Sequence, residues 1–353
     1  MISTEHKMVT EIDIEYFINN SGYSQIIDVR SPKEYEKGHI PGAVNIPLFD
    51  NSERETIGTI YKCYGEEKAF TDGLKIAGVK LADIVNKAKE SLDKKDLMVY
   101  CWRGGMRSKS MAWLFDTAGF KTAYLKGGYK SYRTYARKNF GIEARLIILG
   151  GYTGSGKTEI LQYFEKAGRQ ILDIENIANH KGSVFGNIGK TLQPTNEQFE
   201  NNIFEKWRNF DFDKPVWIED ESFHIGSVYI PEPLYKQMID SEIIFISLPK
   251  EERIKRLINE YSNVDKQILF NALSDIEKKL GGDNYKSILA FLQNNEYYNV
   301  VNKLLDYYDK TYDYMLLKRK KEKIHCLSFD NMNIIEIAKD ILNKFDFIKK
   351  QLP

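Results

Sequence analysis

The run from 146 to 168 restricts the fold more than any other part of the chain. An apolar strand at 146–149 leads into GYTGSGKT at 151–158, after which Ile160, Leu161, Phe164 and Ala167 share one helical face that stops at Gly168. Gly151, Gly156, Lys157 and Thr158 stand at the Walker A spacing. A strand joined to a helix by a glycine turn packs that helix back across a sheet, so the neighbouring strands are parallel and the class is α/β. The loop of Gly151, Thr153, Gly154, Ser155 and Gly156 is expected to wrap a diphosphate with its N–H groups, Lys157 to neutralise it, and Thr158 to reach Mg²⁺. Apolar runs at 170–174, 216–219, 242–248 and 324–329 complete a parallel sheet of about five strands. Acids close two of them, Asp173 and Glu175 on one and Glu219, Asp220 and Glu221 on the other. Asp173, Glu219 and Asp220 are candidates to support a metal or its water beside the phosphate loop, although a run of three acids does not single one out.

A second strand–loop–helix unit lies upstream, LMVYCWRGGMRS at 97–108. The strand delivers Cys101 to its carboxyl end, and Trp102, Arg103, Gly104, Gly105, Met106 and Arg107 curl round to Ser108, which is placed to cap a helix carrying Met111, Ala112, Phe115 and Ala118. Amides converging from a loop and a helix amino end favour a thiolate, with Arg103 and Arg107 adding whole charges. The same donors hold an anionic group attached to sulfur, such as a persulfide, a perselenide or a phosphoryl group. A small buried core cysteine is the plain alternative, and the glycines and arginines that follow speak against it.

A chain of 353 residues suggests two domains, 1–140 and 141–353, with the boundary near Gly141. A net charge of +1 exerts no overall pull on nucleic acid, so RNA contacts must come from local patches. The first residues lack the apolar core of a signal peptide and no run reaches the ~18 apolar residues of a membrane span, which points to a cytoplasmic protein without membrane contact. Cys63, Cys101 and Cys326 are too few for a disulfide framework or zinc cluster, leaving one reactive thiol and Cys63 as a candidate resolving partner. Residues 10–20 and about 74–94 read as helices, and 179–195 as a long loop over the phosphate site. Arg253 and Arg256 read as a solvated helix face. The stretch 295–323 carries Val301, Leu304, Leu305, Tyr308, Tyr312 and Met315 at helical spacing and a basic end at 318–321, and reads as a core helix in preference to a surface that stacks bases and holds phosphates.

Residues 28–47, the cysteine loop and GFKTAYLKGGYKSY at 119–132 together resemble a rhodanese domain. That resemblance implies a parallel α/β layer whose cysteine carries a sulfur-group atom, with Asp28 and Arg30 bracing the active loop. Five residues separate Cys101 from Arg107, a spacing that resembles cysteine phosphatases and admits a phosphate-sized donor. In this order, a rhodanese-like domain followed by a P-loop NTPase-like parallel-sheet domain with a helical extension resembles the bacterial tRNA 2-selenouridine synthases, as do residues 172–186, IEDES at 218–222 and YDKTYDY at 308–314. The resemblance implies a transferase acting on wobble 2-thiouridine in tRNA, first S-geranylating it from geranyl diphosphate and then installing selenium from selenophosphate through a selanylcysteine at Cys101. It implies substrates rather than a tightly bound cofactor. The alternatives are a rhodanese-type sulfurtransferase with a nucleotide-regulated P-loop domain, a phosphatase, and a non-catalytic RNA-binding protein. Tyr100 in place of a histidine before Cys101 weakens the phosphatase.

Overall fold

The computed structural model describes residues 9–180, 192–262, 264–274, 276–330 and 333–351, with the backbone alone for 346–351. The chain divides into two compact units, Met1–Asn139 and Phe140–Pro353.

In the first unit, β1 (Thr10–Ile12), β2 (Gln25–Asp28), β3 (Val44–Asn45), β4 (Asp96–Tyr100) and β5 (Lys121–Leu125) form one sheet in the order β1-β5-β4-β2-β3. Every pairing is parallel. Leu97, Met98, Val99 and Tyr100 of the central strand β4 are all buried, because helices cover both faces of a parallel sheet and leave no wet side for alternating polar residues. The helices are α1 (Ile14–Asn20), α2 (Pro32–Lys37), α3 (Asn51–Tyr64), α4 (Glu66–Gly78), α5 (Leu81–Ser91), α6 (Met106–Thr117) and α7 (Gly128–Asn139). Two sequence expectations are corrected. Residues 10–20 begin as an edge strand, and Asp13 then starts α1 by accepting from the Tyr16 N–H at 2.8 Å. The helix expected at 74–94 is two helices, because a turn closed by Lys80 N–H on the Ala77 carbonyl, 3.0 Å, lets Ala77 and Ile84 both enter the core.

The second unit contains β6 (Leu146–Gly151), β7 (Gln170–Leu172), β8 (Val216–Glu219), β9 (His224–Ile225), β10 (Val228–Tyr229), β11 (Glu242–Ser247) and β12 (Ile324–Ser328). Five of these form a parallel sheet in the order β12-β11-β6-β8-β7, and β9 and β10 form a separate antiparallel pair that the sequence reading lacked. The expected strand 170–174 stops at Leu172, since Asp173 accepts from the Asn176 N–H at 2.9 Å and opens a helix. The helices are α8 (Lys157–Lys166), α9 (Ile174–Ile177), α10 (Asn196–Trp207), α11 (Glu232–Ile239), α12 (Lys250–Tyr261), α13 (Lys266–Ser274), α14 (Glu277–Leu280), α15 (Gly282–Gln293), α16 (Tyr297–Leu316) and α17 (Ile334–Gln351). Helices α8 and α17 cover the sheet, while α12 to α16 build a second apolar core around Ile254, Leu257, Leu273, Ile288 and Leu304. Strand β6 lies between β8 and β11, where the chain order reverses, so its carboxyl end opens into a crevice suited to a ligand. Most of the loop expected at 179–195 falls at 181–191, outside the described residues. Among the described residues, no helix is long and apolar enough to cross a membrane.

Candidate functional site

Cys101 directly follows β4 and is 3% exposed, its sulfur 3.3 Å from the Ser108 hydroxyl. The sequence reading set aside a buried core cysteine and expected a helix-capping serine, whereas the thiol is buried against the apolar core of the first unit. Instead Gly105 is the cap, and Ser108 turns inward from the first turn of α6, donating to the Gly105 carbonyl at 3.0 Å and meeting the sulfur. Among the described residues, none of the N–H groups from Trp102 to Ser108 has a protein acceptor. The carbonyls are engaged, with Cys101 O accepting from Tyr129 N–H at 2.8 Å and Trp102 O from Lys130 N–H at 3.0 Å. The amino end of α7 thus takes the carbonyl edge of the loop and leaves the N–H edge for an anion.

This docking requires backbone-to-backbone contact that only glycine permits. Gly104 and Gly128 have φ of +66° and +58°. A Cβ at Gly128 would overlap the Cys101 carbonyl and come within 2.5 Å of Gly104 N, and one at Gly104 would reach 2.6 Å from Gly127 N.

Asp28 and Arg30 form a buried pair at 2.6 Å, and Arg30 also donates to the Gly38 carbonyl at 2.6 Å. The Arg30 guanidinium lies 4.0 Å from the centre of the Tyr129 ring, and the Trp102 indole lies 5.7 Å from the same ring, centre to centre. Arg30 therefore touches the residue whose N–H holds Cys101 O. Arg107 does not bring a free charge to the loop, because Glu34 of α2 accepts from it at 2.9 Å. Burial pushes the Glu34 carboxyl up, but Arg107 and the Ser31 N–H outweigh it and hold the group below its ordinary value. Arg103, exposed, has no partner among the described residues. Cys63 lies exposed on α3.

In the second unit, β6 delivers the phosphate loop to the amino end of α8. The N–H groups of Thr153, Gly154, Gly156, Lys157 and Thr158 have no protein acceptor among the described residues, and Ser155 N–H closes a turn on Tyr152 O at 3.1 Å. The Ser155 hydroxyl is buried with no hydrogen-bond partner among the described residues. Lys157 donates to Gly151 O at 3.0 Å and rests 5.2 Å from the Tyr312 ring centre. Burial opposes its charge, yet Tyr312, Glu175, Glu221 and Asp220 raise its pKa overall. The Thr158 hydroxyl donates weakly to Glu175 at 3.5 Å.

The candidate metal acids separate into different roles. Asp173 caps α9, and Asp220 is paired with buried Arg319 at 2.7 Å. Glu219 accepts from Glu175 N–H at 2.6 Å, and its other oxygen is buried with no hydrogen-bond partner among the described residues. Burial, then Asp173 and Glu175, push the Glu219 carboxyl well above the usual range, and burial with Glu175 does the same for Glu221. Among the described residues, no group of three or more metal-ligating side chains is arranged around one ion.

Three basic residues correct the sequence reading. Arg253 is buried, paired with Asp309 at 2.7 Å and donating to Thr153 O at 3.3 Å, so it supports the phosphate loop from behind. Arg256 pairs with Glu159, and Arg319, counted in the basic end of α16, points inward to Asp220. The supports missed by sequence reasoning are Glu34, Gly128, Tyr312, Asp309 and Asp313, the last accepting from Tyr152 OH at 2.7 Å. The recurrence of Asp309, Tyr312 and Asp313 at helical spacing was the available signal.

Two family models match the chain, a rhodanese-like domain at residues 14–135 and the tRNA 2-selenouridine synthase AAA domain at residues 144–344. The chain is similar to curated proteins named tRNA 2-selenouridine synthase. That of Shewanella denitrificans is 34% identical over 337 residues, 84% of this chain and 89% of that protein. That of Nitrosomonas europaea is 32% identical over 312 residues, 76% and 80% of the two chains, and that of Sulfurovum sp. is 34% identical over 328 residues, 82% and 88%.

Proposed function

The chain belongs to the tRNA 2-selenouridine synthase family, and from that premise we propose that it S-geranylates the wobble 2-thiouridine of tRNA and then exchanges the geranylthio group for selenium. One observation carries the reading: the Cys101 sulfur lies beside the Ser108 hydroxyl in a loop whose N–H groups from Trp102 to Ser108 have no acceptor among the described residues. A thiol recessed to 3% exposure cannot present itself to a bulky base. A chalcogen atom added to it extends the reactive end by about 2 Å, the length of a sulfur–sulfur bond, towards the mouth of the loop.

In the first step the phosphate loop binds geranyl diphosphate, with Lys157 neutralising the departing diphosphate. Mg²⁺ bound by a diphosphate needs one or two protein ligands, for which Thr158 and Glu175 are placed, and it would add charge neutralisation there. Alkylation turns the thiocarbonyl sulfur into a thiolate leaving group. In the second step selenium is carried as Cys101–S–Se⁻, its terminal atom attacks C2, and geranylthiolate departs. Selenium in selenophosphate is at the selenide level and in Cys–S–Se⁻ is two electrons more oxidised. Loading with release of phosphate therefore takes a two-electron acceptor, and freeing the selenium from sulfur returns the pair, so a thiol–disulfide couple balances the cycle.

The test is nucleoside mass spectrometry of 2-thiouridine tRNA incubated with purified protein, both co-substrates and a thiol–disulfide buffer. Lys157→Ala should abolish geranylation while still selenating pre-geranylated RNA, and Cys101→Ser should do the reverse. Undiminished selenouridine with Cys101→Ser overturns the reading. Thiosulfate-to-cyanide transfer exceeding selenation would favour the plain sulfurtransferase.

A further inference from the structure

Both tyrosines flanking the phosphate loop carry a cation near a ring. Lys157 Nζ lies 5.2 Å from the Tyr312 centre and Arg253 Cζ lies 5.0 Å from that of Tyr152. The two rings meet edge to face at 6.2 Å, and Tyr152 stands edge-on to Phe245 at 5.0 Å. The arrangement is braced from α16: Asp313 accepts from the Tyr152 hydroxyl at 2.7 Å, and Asp309 holds Arg253, which reaches Thr153 O. Burial pushes the Tyr312 hydroxyl up to about 12 despite Lys157, so the phenol is neutral in neutral solution.

Aromatic faces are an odd wall for an anion site, because their negative quadrupole repels phosphate. They suit a substrate that separates charge. As the C1–O bond of an allylic diphosphate stretches, negative charge gathers on the diphosphate and positive charge on the allylic carbons. We propose that the Tyr312 ring is a catalytic group for prenyl transfer, receiving the developing allylic cation on the face that Lys157 vacates when its ammonium engages the diphosphate. This rests on the reading of the phosphate loop as the geranyl diphosphate site. The C1–O bond breaks with its electron pair going to the diphosphate, a lone pair of the thiocarbonyl sulfur forms the C1–S bond, and the uracil N3 proton passes to a diphosphate oxygen. No oxidant or reductant is involved. The ring acts on the transition state more than on the bound substrate, so it raises rate without tightening binding.

The experiment uses the full chain with Tyr312→Phe as reference and mono-, di- and trifluorophenylalanine at the same position, which keep the shape but withdraw density from the ring face. Single-turnover geranylation is expected to fall stepwise, by about 10-fold or more across the series. Affinity for geranyl thiolodiphosphate, an unreactive analogue, should stay within about twofold, and Tyr312→Leu should lose rate in the same way. A flat rate across the series, or affinity falling in step with rate, overturns the inference. If the analogue binds wild type and Lys157→Ala alike, or does not bind at all, the reading of the loop fails first and takes the inference with it.

Discussion

Replacing Gly128 by Ala tests whether the contact between the α7 amino end and the cysteine loop shapes the surroundings of the Cys101 sulfur. The residue has φ +58°, which costs an L-residue roughly 1–2 kcal/mol. Its new Cβ would overlap the Cys101 carbonyl and lie 2.5 Å from Gly104 N and 2.9 Å from Arg103 N, all backbone atoms with no flexible end to swing away. Overpacking of this kind costs a further ~1–3 kcal/mol. The total, about 2–5 kcal/mol, is a large part of a domain's stability of ~5–15 kcal/mol, so the loop is expected to recede rather than the domain to unfold. A clearance of 3.0 Å requires the loop to retreat by close to an ångström at the Cys101 carbonyl and by about half that at Gly104 N. Since ~1 Å of misplacement costs about 100-fold in rate, selenium transfer should drop roughly 10- to 100-fold. Gly119→Ala is the control, having φ +97° but nothing within 4 Å of its Cβ, so it should show the backbone cost alone. Urea denaturation and single-turnover selenation of pre-geranylated RNA give both quantities. Equal effects of the two substitutions on stability and rate would refute the claim that this glycine contact positions the loop.

Ser108→Ala removes the hydroxyl that donates to the Gly105 carbonyl in the first turn of α6, and should lower stability by about 0.5–1.5 kcal/mol in urea denaturation. Glu34, held below its ordinary value of 4.5 by Arg107, contributes stability that is complete above that value and fades as pH falls through its lower folded value. Urea midpoints of wild type should therefore decline below about pH 4.5 more steeply than those of Glu34→Gln. Arg319→Met strands Asp220 in the interior and should cost about 3–5 kcal/mol by denaturant titration, with Asp220→Asn in the same chain restoring part of it.

What could be read from the linear chain was what local chemistry encodes. Two apolar runs ending in glycine-rich turns specify strand, anion loop and helix within about twenty residues, because the strand period, the turn conformation and the helix face are all set by near neighbours. Cys101 at one strand end and Lys157 behind the other loop were therefore visible from spacing. The partners of those loops were not. Glu34 meets Arg107 across 73 positions, Arg253 meets Asp309 across 56, and Arg319 meets Asp220 across 99. Each looks in sequence like any charged surface residue. Only the order of the strands and the packing of α7 and α16 bring them to the loops, and burial then turns an ordinary charge into a brace. The same holds for Gly128, a turn glycine by sequence whose missing side chain makes room for the Cys101 carbonyl only once β4 and β5 lie side by side. Local spacing determined where the two glycine-rich loops lie. Tertiary packing decided which of their charges remain free, because a side chain's partner depends on what the fold sets against it.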